Sequence, residues 1–212
     1  MRIAGGRFVG NDVVDLAAVR QREWDGRDAH WAERHLTPSE RNRLGGASSH
    51  DRARVFWSFF AAKEAGSKAF AQSGIETLHN GFACLEVDLT ESCVTELASG
   101  MRADLFFPQR DSEKIHALAV TSDPAAPPAE LWSEVVSLPA GRSPSDFARE
   151  RLTAAVASRA PHAPPDAWAV GSVAGRPRLL VSGRWLDWSV SLSHAGRFVA
   201  WSCVAPRTRT SA

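Results

Sequence analysis

Lysine is nearly missing from this 212-residue chain. Of 25 basic residues only Lys63, Lys68 and Lys114 are lysines, and two of the three fall in one stretch, FWSFFAAKEAGSKAF, at 56–70. Cysteine is as sparse: Cys84, Cys93 and Cys203 are odd in number and lack metal-ligand spacing, which excludes a disulfide framework and a zinc knuckle. Cys84 and Cys203 lie in apolar, strand-like runs, so buried thiols and a cytoplasmic location are expected. Net charge is close to absent, at +1, so no global field draws the chain to nucleic acid or a membrane, and an anionic partner must be met by a local patch. No apolar run approaches the ~18 residues of a membrane span. The opening MRIAGGRFVGND has no apolar signal core. Familiar catalytic signatures are missing too. GGRFVGND has no Lys-Ser/Thr after its glycines, HWAERH lacks the i, i+4 histidines of a zinc protease, and there is no Gly-x-Ser-x-Gly elbow.

What is present organises into two parts. The stretch SDPAAPPAE at 122–130, with Pro124, Pro127 and Pro128, reads as an extended linker and divides the chain into 1–124 and 125–212. The first part opens with a strand at 8–16, whose alternation sets Asp12, Val14 and Leu16 on one face and Val13 and Asp15 on the other. LTPSE at 36–40 is a helix start: Thr37 caps, Pro38 suits the first turn, and Glu40 completes a capping box. Residues 52–72 form a long helix, with Val55, Phe56, Phe59, Ala62 and Ala69 at helical spacing, stopping at Ser73-Gly74. Strands follow near 82–89, 101–107 and 115–121. The second part gives a strand at 131–137, a helix at 145–159 after the soft LPAGRSPSD, then strands near 167–173, 178–181, 188–193 and 197–204. The last two make a hairpin turned at HAGR, where Gly196 can take positive φ. The fold class is α+β.

Glu64 and Lys68 are i, i+4 and share a helix face, the pattern of a surface ion pair worth a few tenths of a kcal/mol. The retained lysine points to something more, because a compact ammonium suits a phosphate oxygen where arginine offers a planar fork. Gly66, costing about 1 kcal/mol inside a helix, implies close approach by another backbone or a ligand. Asp12 in GNDVVDL is by itself a turn or capping residue. Paired with Glu64 it becomes half of a Mg²⁺ site, since Mg²⁺ keeps several waters and is held by one or two carboxylates plus phosphate. His194, behind two serines of SVSLSHAG, is a turn residue or an anion contact. GRP at 175–177 is a plain turn. ERNRLGGASSHDRAR at 40–54 carries four arginines and no apolar stripe, the kind of surface that would meet an acidic partner.

Together GNDVVDL, FFAAKEAGSKA and SLSHAG resemble the signatures of the 4′-phosphopantetheinyl transferases: a Gly-x-Asp strand, a Lys-Glu-Ala-x-x-Lys helix and a Ser-x-Ser-His hairpin. The resemblance implies two similar α+β halves in one monomer related by a pseudo-twofold, with the active site in the cleft between them. It implies transfer of phosphopantetheine from coenzyme A to a serine of an apo acyl or peptidyl carrier protein, Mg²⁺-dependent. By that resemblance Asp12 and Glu64 hold the metal and Lys68 contacts phosphate. Glu64 or a metal-bound water takes the serine proton. Ser193 and His194 hold the coenzyme A 3′-phosphate or nucleotide, Arg176 lies near the adenine, and Arg151 is a phosphate candidate. Lys63 is a weaker contact, about 100° round the helix from Glu64. Two departures stand out. Val14 occupies the position where surfactin-type enzymes carry a glutamate, leaving two protein carboxylates. The half order is also reversed relative to those enzymes. The alternative is a non-catalytic relative that binds coenzyme A or a carrier protein.

Overall fold

The computed structural model describes residues 1–3, 6–20, 26–75, 82–123, 125, 128–160 and 163–206. The stretch 122–130 lies partly outside them. The fold is α+β, and every strand pairing among the described residues is antiparallel. In chain order the strands of the first part are β1 (Arg2–Ile3), β2 (Gly6–Asp15), β3 (Leu85–Asp88), β4 (Cys93–Glu96), β5 (Arg102–Arg110) and β6 (Lys114–Ser122). Between β2 and β3 come helices α1 (Leu16–Arg20), α2 (Gly26–His35), α3 (Pro38–Gly45) and α4 (Ser49–Gln72). After β6 follow β7 (Ala129–Ser137), α5 (Pro144–Arg159), β8 (Trp168–Val173), β9 (Arg176–Val181), β10 (Arg184–Trp185), β11 (Ser189–Ala195) and β12 (Phe198–Pro206).

Three sheets result, in the orders β2-β6-β5-β4-β3, β1-β7-β12-β11 and β10-β9-β8. The long helix α4 lies on the first sheet. Phe56, Phe59, Ala62, Ala65, Ala69 and Phe70 pack there with Leu85, Val94, Ile115 and Ala117. Burying each of the phenylalanines contributes about 1.5–3 kcal/mol. The shorter α5 covers the second sheet through Leu152 and Val156 against Val190, Trp201 and Cys203. It starts where Ser143 accepts the Asp146 backbone N–H and Pro144 enters the first turn.

Two glycines set the distances around α4. A Cβ at Gly10 would sit 1.9 Å from the Ala65 carbonyl oxygen, so β2 can touch α4 only through a glycine. Gly66 faces the other way. Its missing Cβ would meet the Val94 side chain at 2.8 Å, so its neighbour is a strand side chain of the core rather than a backbone or a ligand.

The first two sheets meet edge to face along β2. The edge strand β2 would leave unpaired amides, and the serines of β11 take them. The Val9 N–H donates to Ser189 Oγ at 2.8 Å and the Asn11 N–H to Ser191 Oγ at 3.0 Å. Gln72, at the end of α4, donates to the Val9 and Val190 carbonyls and accepts from Ser189 Oγ at 2.6 Å. Val9 with Leu131 and Val204, and Val13 with Phe198 and Ala200, add apolar contacts across the seam. At its far end the buried Asp15 carboxylate accepts two guanidinium N–H groups and the backbone N–H of Arg197, plus the Ala17 backbone N–H. Gly196, at φ 52°, brings the β11–β12 turn close enough for this clasp.

The Arg197 hydrogen bond is the largest influence on Asp15 and pushes its pKa below the usual carboxylate range. A depressed folded-state pKa contributes stability that is present above the unfolded value near 3.8 and is lost as pH falls below it. Asp15→Asn is therefore expected to lower Tm at pH 7 by roughly 5 °C and to flatten the acid limb of the stability curve below about pH 4. Thermal melts from pH 2 to pH 7 check this; parallel curves for the two proteins would contradict it.

Candidate active site

Strand β2 carries a different chemistry on each face. Val9, Asn11, Val13 and Asp15 face the seam, while Gly10, Asp12 and Val14 face α4. Because Gly10 lets the strand approach the helix so closely, Asp12 lies next to the α4 face that bears Glu64 and Lys68. Lys68 Nζ donates to Asp12 Oδ1 at 3.0 Å and to the Asn11 carbonyl at 2.9 Å, and stands 3.9 Å from Glu64 Oε2. The i, i+4 pair is thus one side of a three-residue cluster, and it is only partly exposed: the Asp12 side chain keeps 13% of its surface and Glu64 30%.

Both carboxyls are pushed above their ordinary pKa values. Desolvation is the main cause for each, and Lys68 opposes it. Asp12 raises Glu64 further through like-charge repulsion. Two desolvated carboxylates beside one ammonium are the groups here that could hold a divalent cation. No group of three or more metal-ligating His, Cys, Asp or Glu occurs among the described residues. Among the described residues the protein donors would be Asp12 and Glu64, with further positions left to water or ligand oxygens. That division suits Mg²⁺.

Asp12 and Glu64 open into a cleft of about 250 Å³ that His194 from the β11–β12 hairpin also lines. Trp57 and Phe60 of α4, with ring centroids 5.3 Å apart, give it an apolar side. The geometry thus brings together Asp12, Glu64, Lys68 and His194, from two parts of the chain.

The other candidates lie elsewhere. Ser193 alternates away from His194 and is buried in the seam, where its hydroxyl donates to Asn11 Oδ1. It does not face the cleft. Lys63 is 1% exposed, and its ammonium donates to the carbonyls of His35, Phe82 and Leu85 and pairs with Glu40 Oε2 at 2.7 Å. Arg151 makes a two-point contact with Glu134, at 2.7 and 3.2 Å, on the α5 side of the second sheet. Arg176 is exposed at the β8–β9 turn and is not among the cleft residues. In the 40–54 stretch, Arg43 pairs with Asp88, Arg54 with Asp51, and Arg41 donates to the Glu33 and Leu36 carbonyls.

Trp57 and Asn11 enter the site unannounced by the motif reading, and Phe60, which stands in the FFAAKEAGSKA motif, carries no role in it. Asn11 carries a signal of its own, a polar side chain between Val9 and Val13 on the face of β2 that meets the alternating serines of β11.

A family model of the 4′-phosphopantetheinyl transferase superfamily matches residues 8–125, more than half of the chain. No curated protein matches it. The matched span contains β2, α4, Asp12, Glu64 and Lys68, and the chain belongs to this superfamily. It is a transferase of the phosphopantetheinyl type.

Proposed function

We propose that this member of the superfamily moves 4′-phosphopantetheine from coenzyme A to a serine hydroxyl of an apo acyl or peptidyl carrier protein, with Mg²⁺ as its metal. One observation carries the reading: Asp12 and Glu64, the two carboxylates with raised pKa, line the same cleft as His194. A division at 124/125 gives the first part the metal carboxylates and the second the nucleotide contact.

Asp12 and Glu64 would hold the Mg²⁺, which supplies charge neutralisation for the pyrophosphate when bound. Lys68 orients Asp12 through its hydrogen bond and adds positive charge beside the phosphates. His194, lining the same cleft, would meet the 3′-phosphate. Phosphoryl transfer asks for positioning and electrostatic stabilisation more than covalent help, and these residues provide both. Glu64 accepts the serine proton as the hydroxyl oxygen bonds to the phosphorus that carries pantetheine. The bond from that phosphorus to the bridging oxygen breaks, and 3′-phosphoadenosine 5′-phosphate departs with that oxygen. Trp57 and Phe60 keep one side of the cleft apolar, which strengthens the charge interactions beside them.

The arginines of 40–54 remain the proposed surface for an acidic carrier, although Arg41, Arg43 and Arg54 are already held by partners of their own. The proposal is tested by following 3′-phosphoadenosine 5′-phosphate release from coenzyme A. Release is expected only with both Mg²⁺ and apo carrier protein present. Coenzyme A binding without release on any carrier would favour the non-catalytic binder.

A further inference from the structure

Asn11 is fully buried, and every polar group it offers toward the seam is used. Its backbone N–H donates to Ser191 Oγ at 3.0 Å. Its side-chain amide donates to the Ser191 carbonyl at 2.5 Å and to Ser202 Oγ at 3.2 Å, and its Oδ1 accepts from Ser193. Its own carbonyl accepts from Lys68 at 2.9 Å. One residue therefore joins three strands, β2, β11 and β12, to the lysine of α4. Its position is as telling as its bonds. The next residue on β2 is Asp12, and the residue after Ser193 on β11 is His194. Asp12 and His194 both line the cleft, so the Asn11–Ser193 link sits one residue away from each of them.

We propose that Asn11 is a positioning residue, fixing His194 at a set distance from the Asp12–Glu64 pair by pinning β11 to β2. The inference rests on the coenzyme A reading. Its consequence is specific. A ligand that meets both, with pyrophosphate at the carboxylates and a 3′-phosphate at His194, needs them at one spacing. A ligand held at the carboxylates alone does not. Loosening Asn11 should weaken coenzyme A and spare dephospho-coenzyme A, which has no 3′-phosphate.

The experiment is calorimetric titration of the full chain with coenzyme A and with dephospho-coenzyme A, in Mg²⁺. Asn11→Ser is expected to weaken coenzyme A about tenfold, as one buried hydrogen-bonded anchor allows, and dephospho-coenzyme A less than about twofold. Ser202→Ala, which removes one Asn11 partner on β12 and creates no large cavity, is expected to move coenzyme A the same way by about threefold. It carries the test if Asn11→Ser does not fold. Gln72→Met loosens the other end of the same seam and should lower Tm while leaving the ratio of the two affinities unchanged. Equal weakening of both ligands in Asn11→Ser, a ratio that shifts as much in Gln72→Met, or a wild type with no preference for coenzyme A would each overturn the inference. A wild type that prefers coenzyme A but modifies no carrier would overturn the transfer and leave the positioning test standing.

Discussion

Replacing Glu64 with glutamine is expected to reduce kcat/KM for carrier modification by at least about 100-fold while making the metal-free protein more stable. The loss follows from removing one of the two proposed protein donors to the metal together with the proposed proton acceptor; a single electrostatic element of a transition state is worth about 10²–10³ in rate. The gain follows from the sign of the pKa shift. Glu64 is raised by desolvation and by Asp12, so folding costs free energy whenever Glu64 is ionised. A group raised in the folded state binds more protons folded than unfolded, so metal-free stability falls as pH rises from its ordinary value near 4.5 through its folded-state pKa. Glutamine has no such cost. The variant should therefore melt higher than wild type at neutral pH without Mg²⁺, and the two should converge in acid. Mg²⁺ should raise the wild-type Tm and leave that of Glu64→Gln nearly unchanged. Melts with and without Mg²⁺ at pH 4 and pH 7.5 give the four comparisons; a less stable variant at pH 7.5 without metal would contradict the electrostatic account of the site.

The second large effect lies away from the cleft. Lys63→Met is expected to destabilise the fold by about 3–5 kcal/mol, since it leaves the fully buried Glu40 carboxylate without its cation. Three carbonyls lose their shared donor as well. Desolvation lowers the Lys63 pKa, and Glu40 is the main influence holding the ammonium charged. Glu40 has further duties that methionine at 63 does not relieve. Its carboxylate also accepts the Thr37 and Val87 backbone N–H groups at 2.8 and 2.7 Å, tying the start of α3 to β3. A fall in Tm of roughly 10 °C or more, with the coenzyme A KM of the folded fraction unchanged, fits this role. A raised KM with unchanged Tm would return Lys63 to the phosphate-binding set.

These two neighbours show what the sequence made legible and what it hid. Lys63 and Glu64 are adjacent in one motif, yet one anchors the core and the other lines the cleft. Helical geometry separates them by about 100°, and only the positions of β2 and β3 decide which side is buried. The capping box at Thr37 and Glu40 was legible because its partners are three residues apart. That Glu40 also meets Lys63 and Val87 was not, because those contacts cross 23 and 47 residues. The apolar spacing of 52–72 predicts helix α4 closely in extent. The four-residue strand β4 carries little sequence signal: it is short, it holds Thr95 and Glu96, and its turn uses Ser92 at φ 50° in place of a glycine. The motif places Ser193 with the ligand through its neighbour His194. Period-two alternation argues for opposite faces, and the run Ser189, Ser191, Ser193 on an otherwise apolar strand marks a buried polar face awaiting a partner. That partner is Asn11, 182 residues away from Ser193.

The most direct measurement is the intact mass of an apo carrier protein after incubation with this protein, coenzyme A and Mg²⁺, run beside Glu64→Gln and a chelated control across a panel of carriers. The account predicts a gain of one phosphopantetheine on the carrier serine with the wild type, and none with the variant or the chelator. A full gain with Glu64→Gln, or one that persists without divalent metal, would contradict the assignment of Asp12 and Glu64 as the metal-holding heart of the site.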